Sequence, residues 1–579
     1  MGYSHAVARP PASDKALAAA RGDGPADLLI TGGRVFSPAT REWVATDLAI
    51  CDGQVVGWGT RDAISTMDVD GAALCSGFVD AHMHLESSKV WVSEFVKAVL
   101  PHGTTAVACD PHEVANVAGL PGVISVIEAA ADMPFTFGIA ASSCVPASKF
   151  ESASAPFTAH EVKVLLNEYG AIGVAEVMNF PGVINADPLF REIIASAGWR
   201  KVDGHAPGLR GNQLDAYLAA GVESDHECIA LEEAHEKRQK GMWVFLRHGS
   251  LCQELVTLLP TAINQGSMCC AFSTDDREPD MMRDDGHINH CARLATEHGL
   301  SDIDALLMAS FFPAMYHNFF HLGSLGPGYQ ADVLVFDKLE GFRPTRVLQA
   351  GRLVAEHGKI IDGVVPSVVA PKHLYNTIRL HHAPVAADFI LDNDSVTTAR
   401  VIGITDGTIR TQDLILNVQD QGVDIARISV VERHHATGRI GLGYVAGYGI
   451  KRGAIASSVA HDAHNVMVVG ARDKTGPHDM AVAVGRVAEL GGGQVVVCDG
   501  KVIAEAPLPI AGLMSDLPLD QVVSQLEEVV HAAHGLGISL SAPFMTLSFL
   551  GLSVIPSLRI TDHGLIDVNA FAKVPVGVD

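Results

Sequence analysis

The stretch Gly77-Phe78-Val79-Asp80-Ala81-His82-Met83-His84-Leu85-Glu86-Ser87-Ser88 is an apolar run that ends in two histidines one residue apart. In a strand, residues i and i+2 point to the same side. If this run closes a strand, His82 and His84 present both imidazoles to one face, and Glu86 continues the alternation. Two readings fit: a pair of metal ligands, or two polar residues where a buried strand meets solvent. An isolated His-X-His does not separate them.

The surrounding text does more. From about residue 77 to about 310, short apolar runs ending in polar residues alternate with helix-like segments. The runs include TTAVACDPHE (104–113), FTFGIAASSCVP (135–146), AIGVAEVMN (171–179), KVDGHAPG (201–208), GVESDHE (221–227), MWVFLRHGS (242–250) and MCCAFSTDD (268–276). Between them lie stretches such as HEVKVLLNEYG (160–170) and NQLDAYLAAG (212–221). Strand-then-helix repetition implies a parallel sheet. Around eight such units suggest a (β/α)8 barrel. Before it, LLITGGRVFSP (28–38) and WVATDLAICDGQVVGWG (43–59) are β-like, with a hairpin signal at Asp52-Gly53. After it, GYQADVLVFDKLEGFRPTRVLQAGRLVAEHGKII (328–361) returns to the same Gly-rich rhythm. The simplest account is one small β domain built from both flanks.

In a barrel, chemistry gathers at the C-terminal ends of the strands. Those ends carry His82 and His84, Asp110 and His112, Glu176, His205, His226, and Asp275-Asp276. Imidazoles and carboxylates without thiolate suit Zn, Fe(II) or Mn(II). Even without His112, four histidines and two or more carboxylates exceed the needs of one tetrahedral ion, so a two-metal site is the natural reading.

Composition narrows the partners. With 41 basic against 66 acidic residues, a net charge of −25 and no Lys/Arg-rich block, a nucleic-acid backbone is not an expected partner. Ten scattered cysteines without a Cys-X-X-Cys pair favour reduced thiols in a cytoplasmic protein. No continuous apolar segment opens the chain and none of about 18 residues runs through it, so neither a signal peptide nor a membrane span is expected.

The segments GFVDAHMHLESS, CDPHEVANV, VAEVMN, GHAPG, STDDREPD, VAHDAHNVMVVG and LPIAGLMSD resemble the amidohydrolase superfamily, and more narrowly its adenine deaminase family. The resemblance runs from about residue 26 to the end. It implies an α/β fold: a distorted (β/α)8 TIM-like barrel over 76–319, a split β-sandwich from 25–75 and 320–375, and an additional C-terminal α+β domain over 376–579. Residues 1–24 are expected to form a mobile leader or a short helix. His82 and His84 would ligate one metal with Asp275, Glu176 would bridge, and His205 and His226 would hold the second. Mn(II) or Fe(II) is expected, with Zn as the alternative. The implied reaction is hydrolysis of adenine to hypoxanthine and ammonia by a metal-held hydroxide attacking C6. Asp275 would shuttle protons, with Asp276 as alternative shuttle or substrate hydrogen-bonder and Asp110 and His112 near the reacting centre. Glu86 and His461 are candidates for substrate contact. Their bland alternatives are an ion pair with Lys89 and a structural turn. Another aminopurine or a cyclic amide is the rival substrate, and a homo-oligomer, as a dimer, is expected. One departure is visible: Arg247-His248-Gly249-Ser250 stands where Arg-Glu-Gly-Ser is expected.

Overall fold

The computed structural model describes residues 10–391, 397–420 and 422–578. The start of the expected leader lies outside the described residues. Its second half forms the helix Asp14–Arg21, where the Ser13 side chain accepts the Ala16 N–H at 3.0 Å. Ala16 and Ala19 pack against Leu29, Ala49 and Val56, so this helix is part of the β structure that follows.

Two sheets tie the flanks of the chain together. One has four strands in the order Gln54–Trp58, Leu48–Cys51, Ala26–Thr31, Ala63–Asp68. The turn between its first two strands has Asp52 at φ 49° and Gly53 at φ 76°, the left-handed pair that an Asp-Gly hairpin turn requires. The other sheet has seven strands. In it Ala73–Ser76, from before the parallel region, lies antiparallel to Val333–Phe336, from after it, with Leu74 opposite Val335. Ile30, Leu48, Leu74, Val333 and Leu348 form one buried cluster drawn from both sheets.

Parallel strands follow. Phe78–Met83, Thr104–Cys109 and Thr136–Ile139 form one ladder, Gly173–Val177 and Lys201–Gly204 a second, and Ser224–Asp225, Trp243–Arg247 and Cys270–Ser273 a third. The ladders join through the bridge Ala141 to Val174 and the Glu223 N–H bond to the Val202 carbonyl, and Met83 bridges to Asp275 to close the circuit. Every residue of Phe78–Met83 and Thr104–Cys109 is buried, as expected when both faces are covered. Small residues leave room inside: a Cβ on Gly138 would fall 2.4 Å from the Phe319 ring. Val79, Ala106, Ala140 and Ala175 pack against Phe319 there, which fills the interior and leaves the carboxyl ends of the strands for polar groups.

Among the described residues one helix, His112–Ala130, is long and apolar enough to cross a membrane. It is broken at Gly119 (φ 64°, ψ −160°) and packs into the protein core. The C-terminal part of the chain builds an eight-stranded, mostly antiparallel sheet. The helix Gly476–Glu489 covers one side through Met480, Val484 and Val487. The helices Leu519–Gly535 and Pro543–Phe549 cover the other through Val529, Phe544 and Leu547. Ile510, Leu513, Phe549 and Ile555 leave this unit to join the core around the parallel strands.

Candidate metal centre

The first and last parallel strands are laced at their ends. The Asp275 N–H donates to the His82 carbonyl at 3.0 Å, and the His84 N–H to the Asp275 carbonyl at 3.3 Å. Asp275 sits at φ 54°, a strained setting for a residue with a Cβ, which this double tie holds in place. Its Oδ1 lies 3.1 Å from His84 Nε2 and 3.6 Å from His82 Nε2, while its Oδ2 accepts from Arg247 Nη1 at 2.8 Å. His84 Nδ1 is 2.9 Å from the Asp110 carbonyl. A carbonyl only accepts, so Nδ1 carries a proton, which leaves Nε2, aimed at Asp275, as the ring nitrogen placed to ligate a metal.

Glu176 stands between two pairs of imidazoles. Its Oε1 lies 3.4 Å from His84 Nε2 and 3.9 Å from His82 Nε2. Its Oε2 lies 2.6 Å from His205 Nδ1 and 3.3 Å from His226 Nε2. Burial pushes this carboxyl up, but His205 and His226 outweigh burial and hold it well below the usual carboxylate range. His112 Nδ1 pairs with Asp110 Oδ2 at 3.0 Å and lies 3.6 Å from Glu176 Oε1.

This donor set fits divalent ions. The ligand atoms of His82, His84 and Asp275 lie within 4.8 Å of one another, as do those of His82, Glu176 and His226. His205 Nε2 and His226 Nε2 are buried without a hydrogen-bond partner in the protein, a cost that a bound group would relieve.

Two family models divide the chain: the amidohydrolase family matches residues 73–402, and the adenine deaminase C-terminal domain matches residues 404–572. Adenine deaminase 2 of Carboxydothermus hydrogenoformans is 41% identical over 96% of this chain and 98% of its own length. The adenine deaminase of Desulfatibacillum aliphaticivorans is 42% identical over the same shares. The chain belongs to the adenine deaminase family. A solved adenosine deaminase from Xanthomonas campestris aligns with a TM-score of 0.42 and 18% identity, covering 58% of this chain and 95% of that one.

For a member of the adenine deaminase family, the other expected positions divide. Asp276 and His461 line the same small chamber as His84, Glu176 and Asp275. Ser87 Oγ donates to Asp276 Oδ1 at 2.5 Å. The His461 ring stacks on Phe549 at 4.5 Å, which brings the distant loop VAHDAHN over the cluster. Glu86 is not among the chamber residues. Its Oε1 accepts the Val114 N–H at 2.8 Å beneath the start of the helix His112–Ala130, and Lys89 pairs with Glu278 instead. His248, the visible departure, lies edge-on to His290 at 5.0 Å and outside the chamber.

Several residues at the site escaped the sequence reading. Asp462 Oδ1 lies 3.6 Å from His112 Nε2, Glu113 Oε2 lies 3.1 Å from His464 Nε2, and Glu227 pairs with Arg247. Glu113, Glu227 and Asp462 each directly follow a histidine already singled out, which was the available signal. The apolar side of the chamber, with Ile409, Phe549, Leu552 and Ile555 from the C-terminal part of the chain, had none.

Proposed function

We propose that this chain hydrolyses adenine to hypoxanthine and ammonia. The observation that carries this reading is the Glu176 carboxylate, with one oxygen toward His82 and His84 and the other toward His205 and His226. The near-full-length kinship to adenine deaminases supports the substrate. His82, His84 and Asp275 would hold one divalent ion, His205 and His226 the other, and Glu176 both. Such ions supply a water whose pKa falls from 15.7 to about 7. Either Mn(II) or Fe(II), or Zn, is compatible with these ligands.

The C6–O bond forms first, with N1 gaining a proton as C6 becomes tetrahedral, and the C6–N6 bond then breaks as the departing nitrogen takes the water's second proton and leaves as ammonia. Asp275 takes a proton from the attacking water and passes it to the leaving group, general acid–base work for a buried carboxylate beside the reacting carbon. Arg247 fixes the orientation of that carboxylate through Oδ2. Asp276 and His461 meet the polar edge of the ring, with Asp110 orienting His112 beside them. Phe549 and Ile555 offer its faces an apolar slot.

The same reading assigns the strands between 76 and 319 to a distorted (β/α)8 barrel. It assigns 25–75 with 320–375 to a split sandwich, and 376–579 to a C-terminal domain. Steady-state ammonia release from adenine with Mn(II) added, measured beside metal content, tests the reading. Turnover with about two ions per chain is the expected result. Turnover of a cyclic amide and none of adenine would sink it.

A further inference from the structure

Besides Leu552, the apolar wall of the chamber comes from three separate places: Ile409 in the loop before Gln412–Asn417, Phe549 at the end of Pro543–Phe549, and Ile555 beyond it. All three hang from one side chain. Arg559 donates through Nε to the Ile555 carbonyl at 2.6 Å, and through Nη1 to the Phe549 carbonyl at 2.8 Å. Its Nη2 donates to the Ile409 carbonyl at 2.6 Å and the Pro556 carbonyl at 3.1 Å. Arg559 lies in the strand Leu558–Thr561, whose Leu558 and Ile560 enter the C-terminal core, so by alternation its own side chain points the other way, toward these loops.

Arg559 is 0% exposed, and among the described residues no acidic side chain pairs with it. A buried charge is costly unless it is fully hydrogen-bonded. Here its partners are main-chain oxygens, and three of the four belong to chamber residues. The planar fork of five donors is what can reach carbonyls on three segments at once, and a lysine ammonium lacks that geometry.

We propose that Arg559 is a positioning residue for the substrate. By gathering the carbonyls of Ile409, Phe549 and Ile555 it fixes the apolar wall against which the planar base packs. It touches neither the base nor the ion ligands. The inference rests on adenine being the substrate.

The test compares Arg559→Lys, Arg559→Gln, Ile409→Ala and Ile555→Ala with the unaltered protein, each loaded with Mn(II). Metal content, thermal unfolding, KM and kcat for adenine are read. The Arg559 variants are expected to keep both ions and to raise KM roughly tenfold or more, the scale set by one lost apolar contact, with kcat falling less. Ile409→Ala and Ile555→Ala should move KM the same way, and Arg559→Lys combined with Ile409→Ala should fall short of the product of the two single effects. Folded Arg559 variants with unchanged KM, or KM and kcat that follow only the folded fraction, would overturn the assignment. Should neither Arg559 variant fold, raised KM in the two wall variants supports it and unchanged KM in both overturns it. An unaltered protein that holds two ions yet leaves adenine intact would instead remove the proposed substrate.

Discussion

Glu176 and Asp275 concentrate the demands on single side chains. Losing an outer partner of a metal ligand commonly costs 10–100-fold, so losing a charge placed between two imidazole pairs should cost more. Glu176→Gln is expected to lower kcat/KM for adenine by more than about 100-fold while leaving the fold intact. Wild-type turnover with two ions bound would refute the bridging role. Asp275→Asn removes the proposed proton carrier and should cost about 10²–10⁴-fold in kcat even where one ion is retained. An active Asp275→Asn variant would move that role to Asp276. Such residues were legible because alternation along a strand fixes facing from local sequence alone: His82 and His84 are two apart and both point inward. Asp462 and Arg559 were not, because each gains its significance by reaching a segment far away in the chain, His112 at 350 positions and Ile409 at 150.

At the scale of elements, the helix Leu231–Gln239 does what its sequence hides. LEEAHEKRQ is polar on nearly every side and reads as a solvated surface helix, yet Lys237 is 0% exposed. Its Nζ donates to the Ala206 carbonyl at 2.7 Å, Asp225 Oδ2 at 3.0 Å and Glu233 Oε1 at 2.7 Å. Asp225 Oδ1 in turn accepts the Ala206 N–H at 2.7 Å, and Glu233 the Gly208 N–H at 2.7 Å. The loops that present His205 and His226 are therefore clamped to one lysine. Lys237→Met leaves two carboxylates buried without their cation, and breaking a buried pair in this way costs about 3–5 kcal/mol. Denaturant unfolding should show that loss, and metal analysis should show fewer than two ions per chain. A variant of native stability holding two ions would rule out the clamp.

For the whole molecule, the proposed ligands come from separate strand ends, so ions held there would add a tie between elements that backbone hydrogen bonds and packing already join. Stripping the ions with a chelator should lower Tm by several degrees, since a ligand at about 1,000 times its Kd adds about 4 kcal/mol to the folded state. Two equivalents of Mn(II) should restore both Tm and turnover, and a Tm indifferent to chelation would place the ions outside the buried cluster. The parallel region was legible because strands covered on both faces read as unbroken apolar runs, as in Thr104–Cys109. The eight-stranded C-terminal sheet was not, because its order departs from chain order and is settled by long-range pairing. The divided seven-stranded sheet sets a timetable for synthesis. Ala73–Ser76 waits for Val333–Phe336, and Trp58 waits for the Leu325 carbonyl 267 positions later. At about 5–20 residues per second, a ribosome leaves that strand edge bare for tens of seconds. The nascent chain is thus most prone to clumping before its catalytic half is finished, when its first apolar strands have emerged and their partners do not yet exist.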